Sequence, residues 1–291
     1  MKIRKLIFLI NCLVAIFVAQ MPQDVAAQEA PNALRLWKDG KVVAQTNTIV
    51  DSIVLFYYPA PSPPQTPDPT TVGGIVPTVE QAIDMGLSVK WAPWNVGASK
   101  AEEYGAYFAW GEVNARMGGF KWGSYYWMAQ GKADWMHINK YQIADNKTEA
   151  DWYSFGQFVG DNKSYLENCD DAAIANWGSE WRMPTTAEFE ELLDEDNCTW
   201  KWIENYEDTD KSGYEVKSKK TDGVLFFPAA GYFETNLGNY GETGYGNYWS
   251  SELRSSFQGC TLHFFVEYDL SIGSALRCEG CSVRAVAVSA E

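Results

Sequence analysis

His137 and His263 are the only imidazoles in the chain, so a hydrolytic triad would have to recruit one of them as the base beside a nucleophile. Neither stands in a recognisable nucleophile motif. His263 lies between Leu262 and Phe264 in a strand-like run, so it points away from both and reads as a surface histidine. The run Asp208-Thr209-Asp210-Lys211-Ser212-Gly213 imitates the opening of a calcium loop, with carboxylates at alternate positions and a glycine for the bend. Its twelfth position is Lys219, however, and an ammonium cannot replace the bidentate carboxylate that closes such a loop. It reads as a polar hairpin turn. Paired acids for glycoside hydrolysis cannot be assigned, because sequence spacing does not fix the separation in space that this chemistry needs. Cys278-Glu279-Gly280-Cys281 has the spacing of a redox or metal pair, but no second such pair exists to complete a metal site. No catalytic residue, metal or cofactor is expected.

The elements that would position these groups are mostly strands. Alternation and β-branched or aromatic content predict strands at 87–94, 107–110, 200–206, 224–227, 248–251, 261–268 and 282–288, with Asp222-Gly223 as a hairpin turn. The clearest helix follows Thr185: Glu188, three residues on, completes a capping box, and Phe189, Leu192 and Leu193 share one face. A second short helix is predicted near Asp170 to Asn176. Between Gly118 and Leu166 lies an aromatic-rich insertion with Trp122, Tyr125, Tyr126, Trp127, Trp135, Trp152 and Tyr153, to which periodicity assigns no regular structure.

The N-terminus carries a different signal. Lys2, Arg4 and Lys5 precede an apolar run from Leu6 to Ala19, interrupted by Asn11 and Cys12, and Val25-Ala26-Ala27 supplies small residues for cleavage. The run is too short to span a bilayer. Residues 1–27 are therefore expected to be a signal peptide, and the mature chain to be exported with no transmembrane segment. The segment 28–58 reads as a small β unit, with an Asp39-Gly40 turn between Leu34–Trp37 and Val42-Val43. Residues 59–78, with Pro61, Pro63, Pro64, Pro67 and Pro69, read as an extended spacer, and 79–291 as the main domain.

The formal net charge is −15; removal of residues 1–27, which carry a net +2, makes it −17. Such a chain repels phosphate backbones, so nucleic acid is excluded as a partner. Trp, Tyr and Phe make up 15% of residues, enough large rings to fill a core of about 200 residues. Five cysteines remain after residue 27, an odd number in a compartment where disulfides persist, so at least one thiol should stay unpaired or pair with another chain.

Seven strings carry a family resemblance: Met85-Gly86-Leu87-Ser88-Val89-Lys90-Trp91-Ala92, Trp94-Asn95-Val96-Gly97-Ala98, Tyr104-Gly105-Ala106-Tyr107-Phe108-Ala109-Trp110-Gly111-Glu112, Trp181-Arg182-Met183-Pro184-Thr185, Pro228-Ala229-Ala230-Gly231-Tyr232, Tyr248-Trp249-Ser250-Ser251 and Ser282-Val283-Arg284-Ala285-Val286. In this order, over roughly residues 82–288, they resemble the Fibrobacter succinogenes major paralogous domain. That family occurs on exported and surface proteins of gut Bacteroidetes and is similar in fold to C-type lectins and the formylglycine-generating enzyme. The resemblance implies an α+β, C-type-lectin-like domain. The Glu-Pro-Asn, Gln-Pro-Asp and Trp-Asn-Asp strings of calcium-dependent sugar binders are missing, and Cys281 stands where the family usually has an aromatic residue.

The segment from Tyr248 to Val286 is also similar to the variable region of retroelement-diversified C-type-lectin-fold proteins. There a frame like Trp249, Leu262, Phe264, Arg277, Gly280 and Ser282 to Arg284 presents varied residues. Alternation agrees, placing Leu262, Phe264 and Val266 on one face and His263, Phe265, Glu267 and Asp269 on the other. The candidate ligand-binding residues are Arg254, Phe257, Gln258, His263, Phe265, Glu267, Asp269, Ser271, Cys278 and Glu279. Together these expectations describe a non-enzymatic, adhesin-like module, outer membrane-associated or extracellular, that recognises a protein or glycan. The alternatives are a structural or tip subunit of a surface fibre and, more remotely, an oxidase akin to the formylglycine-generating enzyme. Arg284, inside an apolar strand, is expected to be buried against an Asp or Glu from a distant segment.

Overall fold

The computed structural model describes residues 34–38, 41–46, 65–68, 70–234, 238–239, 244–266 and 268–288, the first two segments and 238–239 as backbone alone. The expected signal peptide, the strand around Ile53–Phe56, and Glu267 lie outside the described residues. The chain divides into two units, residues 1–60 and 61–291.

In chain order the strands are β1 (Leu34–Lys38), β2 (Lys41–Thr46), β3 (Ile83–Asp84), β4 (Lys90–Trp91), β5 (Tyr153–Ser154), β6 (Gln157–Phe158), β7 (Trp181–Arg182), β8 (Cys198–Ile203), β9 (Gly213–Ser218), β10 (Val224–Pro228), β11 (Phe233–Glu234), β12 (Gly238–Asn239), β13 (Tyr245–Ser255), β14 (Gln258–Phe265), β15 (Asp269–Leu276) and β16 (Val286–Ala287). The helices are α1 (Ala172–Trp177) and α2 (Thr186–Leu193). Strand outweighs helix among the described residues, as an α+β or mainly β chain requires. In the first unit β1 pairs antiparallel with β2, Lys38 opposite Lys41.

Among its described residues the second unit holds three larger sheets and the two-stranded pairs β5-β6 and β11-β12. The ladder β3-β4-β16-β7 is made of two-residue strands, so the strands expected at 87–94 and 282–288 are longer in alternation than in actual pairing. Residues 107–110 likewise make only an isolated bridge, Phe108 to Cys281. β16 lies between β4 and β7 and is buried on both faces. Val286 joins a core with Trp91, Phe189, Leu192, Leu262 and Phe264, while Ala285 and Ala287 join a larger core with Trp110, Trp127, Trp152, Trp181 and Trp249. A strand between two cores can carry no polar face. The other larger sheets are the meanders β8-β9-β10 and β13-β14-β15. β9 and β15 are not distinguished by the alternation pattern. The Asp208–Ser212 run connects β8 to β9 as the expected polar turn, with Glu207, Asp208 and Asp210 at positive φ.

α2 begins as its sequence demands. The Thr185 side chain accepts from Glu188 N, the Glu188 carboxylate accepts from Thr185 N, and Phe189 and Leu192 are fully buried. α1 is capped by Asp171, which accepts from Ala173 N and Ile174 N.

The aromatic insertion contains only the two-residue ladder β5-β6, and side chains tie it to the rest of the domain. The indoles of Trp110, Trp127 and Trp249 donate to the carbonyls of Ser250, Gly111 and Phe108. Arg277, fully buried, donates to the carbonyls of Tyr141, Ser256 and Lys140 and to the Tyr125 hydroxyl, with its guanidinium over the Trp110 ring. One planar cation thereby ties three segments without strand pairing.

The proline-rich stretch is not a free spacer over its full length. Gln65 donates to Gly111 O and accepts from Val113 N, Asp68 N donates to the Asn114 side chain, and Trp181 Nε1 donates to Pro77 O. Proline lacks a donor of its own; Gln65 and Asp68, lying between prolines, supply the donors, and Pro77 contributes only its carbonyl.

Arg284 is buried as expected, but its partner is not a carboxylate. Its guanidinium donates to Asn95 Oδ1 at 2.9 Å, Phe226 O at 2.8 Å and Ala92 O at 3.4 Å, and lies over the Phe227 ring. Backbone carbonyls next to β4 and in β10 are already aimed at this point, so an Asp or Glu is not needed to satisfy the planar donors.

Candidate functional site

The strand β14 organises the candidate face, because it lies between β13 and β15 and alternates over its last four residues, after a buried run from Gly259 to Thr261. Leu262 and Phe264 are fully buried, while His263 and Phe265 are partly exposed. Register sets Tyr245 and Asp269 on either side of Phe265, and Asn247 and Ser271 on either side of His263. The rings form a row. Tyr245 and Phe265 stack with centroids 4.2 Å apart and planes within 20°, and Phe265 is followed by Tyr268 at 5.9 Å and 25°. Cross-strand aromatic pairs of this kind fix ring orientation as well as burying area. Tyr268 is 85% exposed, so the row ends on an open ring.

Polar groups flank this ridge. His263 Nδ1 lies 3.0 Å from Asn247 Oδ1, and Nε2 lies 3.5 Å from Asp269 Oδ2. Asp269 also accepts from the Ser271 hydroxyl. Burial pushes the His263 pKa below its ordinary value, against the opposing pull of the Asp269 charge. His263 is thus half-buried and hydrogen-bonded rather than a plain solvent-facing histidine.

The remaining candidates do not join this ridge. Arg254, Phe257 and Gln258 lie at the β13–β14 turn, and Phe257 to Phe265 is eight residues of strand, about 26 Å at the usual rise. One small ligand cannot span both ends. Phe257 packs on Trp135, and the Gln258 side chain donates to Ser274. Cys278 and Glu279 are corrections: both are buried, and the Glu279 carboxylate accepts from Leu276 N to close the turn after β15. Neither can meet a ligand at the surface. Tyr245, Asn247 and Tyr268 belong to the face but are missing from the sequence-based set. Tyr245 is brought opposite Phe265 by two register shifts between Trp249 and Ser255, which strict alternation counted from the turn would misplace.

A second cluster gathers around Asp170. Ligand atoms of Glu167, Cys169 and Asp170 lie within 4.8 Å of one another, a spacing that could hold a metal ion. A cation already stands among them: Lys140 Nζ is 2.5 Å from both Asp170 Oδ2 and Glu167 Oε2. Asp170 is fully buried and also accepts from the Tyr141 hydroxyl and from Gln65 Nε2. The Cys281 thiol is fully buried and pushed well above its usual pKa by that burial.

Fold and face together define a strand-rich chain, α+β or mainly β, whose described residues display an ordered aromatic and polar sheet surface. No protein-family model, curated protein or solved structure matches the chain.

Proposed function

We propose that residues 79–291 form a C-type-lectin-like domain of the kind the sequence resembles, and that it is an exported, surface-displayed, non-enzymatic module recognising a protein or glycan. The observation that carries this reading is the ridge Tyr245–Phe265–Tyr268, with its open end ring beside His263, Asn247 and Asp269. Rigid aromatic residues rimmed by hydrogen-bonding groups are the usual anchors of a binding surface, since they bury large area at little entropic cost. The binding face is the Tyr268 end of β14, and the β13–β14 turn with Arg254 and Phe257 lies outside it. Burial of the Cys281 thiol in its neutral form speaks against oxidase chemistry at the Cys278–Cys281 pair.

The test is a combined protein and glycan array probed with the mature chain and with Tyr268→Ala and Phe265→Ala. Ligands retained by the parent and lost by Tyr268→Ala, at unchanged melting temperature, support the reading. Equal binding by parent and both variants moves recognition elsewhere.

A further inference from the structure

We propose that Lys140 and Asp170 are joined by an intramolecular amide bond, with Glu167 relaying the protons. The constellation differs from a surface ion pair in three respects. Asp170 is fully buried and the Lys140 side chain nearly so, at 0% and 15% exposure. Lys140 Nζ lies over the rings of Trp127 and Tyr141, at 4.7 and 4.8 Å, which keeps bulk water from its flanks. A second carboxylate, Glu167, reaches the same nitrogen at 2.5 Å.

The surroundings suit acyl transfer. Arg277 holds the backbone carbonyl of Lys140, and Asp170 ends the turn that leads into α1, so both reactants are fixed before reaction. Fixing a nucleophile against its acyl carbon in this way replaces a bimolecular encounter by a unimolecular one. Gln65 Nε2 donates to Asp170 Oδ1 at 3.3 Å, where negative charge develops when the carbon becomes tetrahedral. The Tyr141 hydroxyl donates to Oδ2, the oxygen that departs.

The step balances without an oxidant or other co-reactant. Burial alone would lower the Lys140 pKa, but the hydrogen bonds to Asp170 and Glu167 outweigh it and raise it, so the amine is freed only by passing a proton to the Glu167 carboxylate. Beside the buried Asp170 the neutral amine lies closer in energy to its charged form than it does in water, whereas Glu167, 42% exposed and held below its ordinary pKa by hydrogen bonds from Lys140 and Lys163, carries the proton only transiently. Lys140 Nζ then bonds to Asp170 Cγ and the Cγ–Oδ2 bond breaks. Two of the three ammonium protons leave with Oδ2 as one water, and Glu167 returns to its starting state. The product clasps residues 140 and 170 around a segment whose only strands are the two-residue pair β5 and β6.

The experiment is intact-mass spectrometry of the purified, reduced chain, its N-terminus read independently, followed by peptide mapping. The parent is expected to be lighter than its sequence by one water and to yield a branched peptide joining the Lys140 and Asp170 segments. Lys140→Arg, which keeps the ion pair but cannot form this bond, and Glu167→Gln, which removes the relay, are both expected at full mass with linear peptides. A parent of full mass with linear peptides overturns the proposal and leaves an ion pair only. Loss of water persisting in Lys140→Arg also overturns it, and loss persisting in Glu167→Gln overturns the relay.

Discussion

Replacing Arg284 by alanine tests how this fold tolerates a buried cation without a carboxylate. The substitution leaves Asn95 Oδ1 and Phe226 O, both within 2.9 Å of the guanidinium, without donors in a fully buried site. Asn95 cannot rotate to compensate, because its amide nitrogen is committed to Tyr104 O. Two stranded acceptors at about 2 kcal/mol each, plus about 2 kcal/mol for the cavity against Phe227, oppose the variant. Burial pushes the Arg284 pKa down to about 10 from 12.5, so removing the charge returns about 3 kcal/mol. The net expectation is a loss of about 3 kcal/mol, a large part of a domain's stability. Urea unfolding of parent and variant measures it as a lower midpoint at unchanged slope. Arg284→Met, which fills the cavity but donates nothing, should recover only the packing part. A midpoint for Arg284→Met equal to the parent's would refute the reasoning, since the hydrogen bonds would then add nothing to offset desolvation.

Glu188→Gln should remove part of the acid sensitivity of the fold. Burial alone would raise the Glu188 pKa, but the Arg182 pair outweighs it and holds the carboxylate below 4.5, so its contribution is present above that pH and fades as pH falls through the folded value; parent and variant melting temperatures should converge in acid. His263 has the same sign in a higher window: burial lowers its pKa from 6.5, so the parent should lose stability relative to His263→Gln as pH falls below 6.5, read by melting at stepped pH. Thr185→Ala deletes one half of the α2 capping box and should cost about 1 kcal/mol in chemical denaturation. Gly280→Ala places a methyl 2.4 Å from the Phe120 ring and should destabilise by about 1–3 kcal/mol, whereas Tyr268→Ala, at an 85% exposed position, should stay within about 0.5 kcal/mol of the parent.

Local signals settle what depends on neighbours a few residues apart. The capping box of Thr185 and Glu188, the apolar face of α2, the alternation of Leu262 and Phe264 against His263 and Phe265, and the burial of Arg284 can all be read from the chain, because each is imposed by the 3.6-residue or two-residue period or by an apolar run. Tertiary structure decides what those periods cannot carry. Strand alternation persists where pairing stops, so 87–94 reads longer than β4, and bulges between Trp249 and Ser255 choose which tyrosine meets Phe265. Burial of Cys278 and Glu279 comes from a turn closed by the Glu279 side chain, not from composition. The partners of Arg284 and the meeting of Lys140 with Asp170 and Glu167 join segments up to 192 residues apart. No local pattern encodes such contacts; they follow from how whole sheets and the aromatic insertion pack, with backbone carbonyls serving wherever the fold brings them.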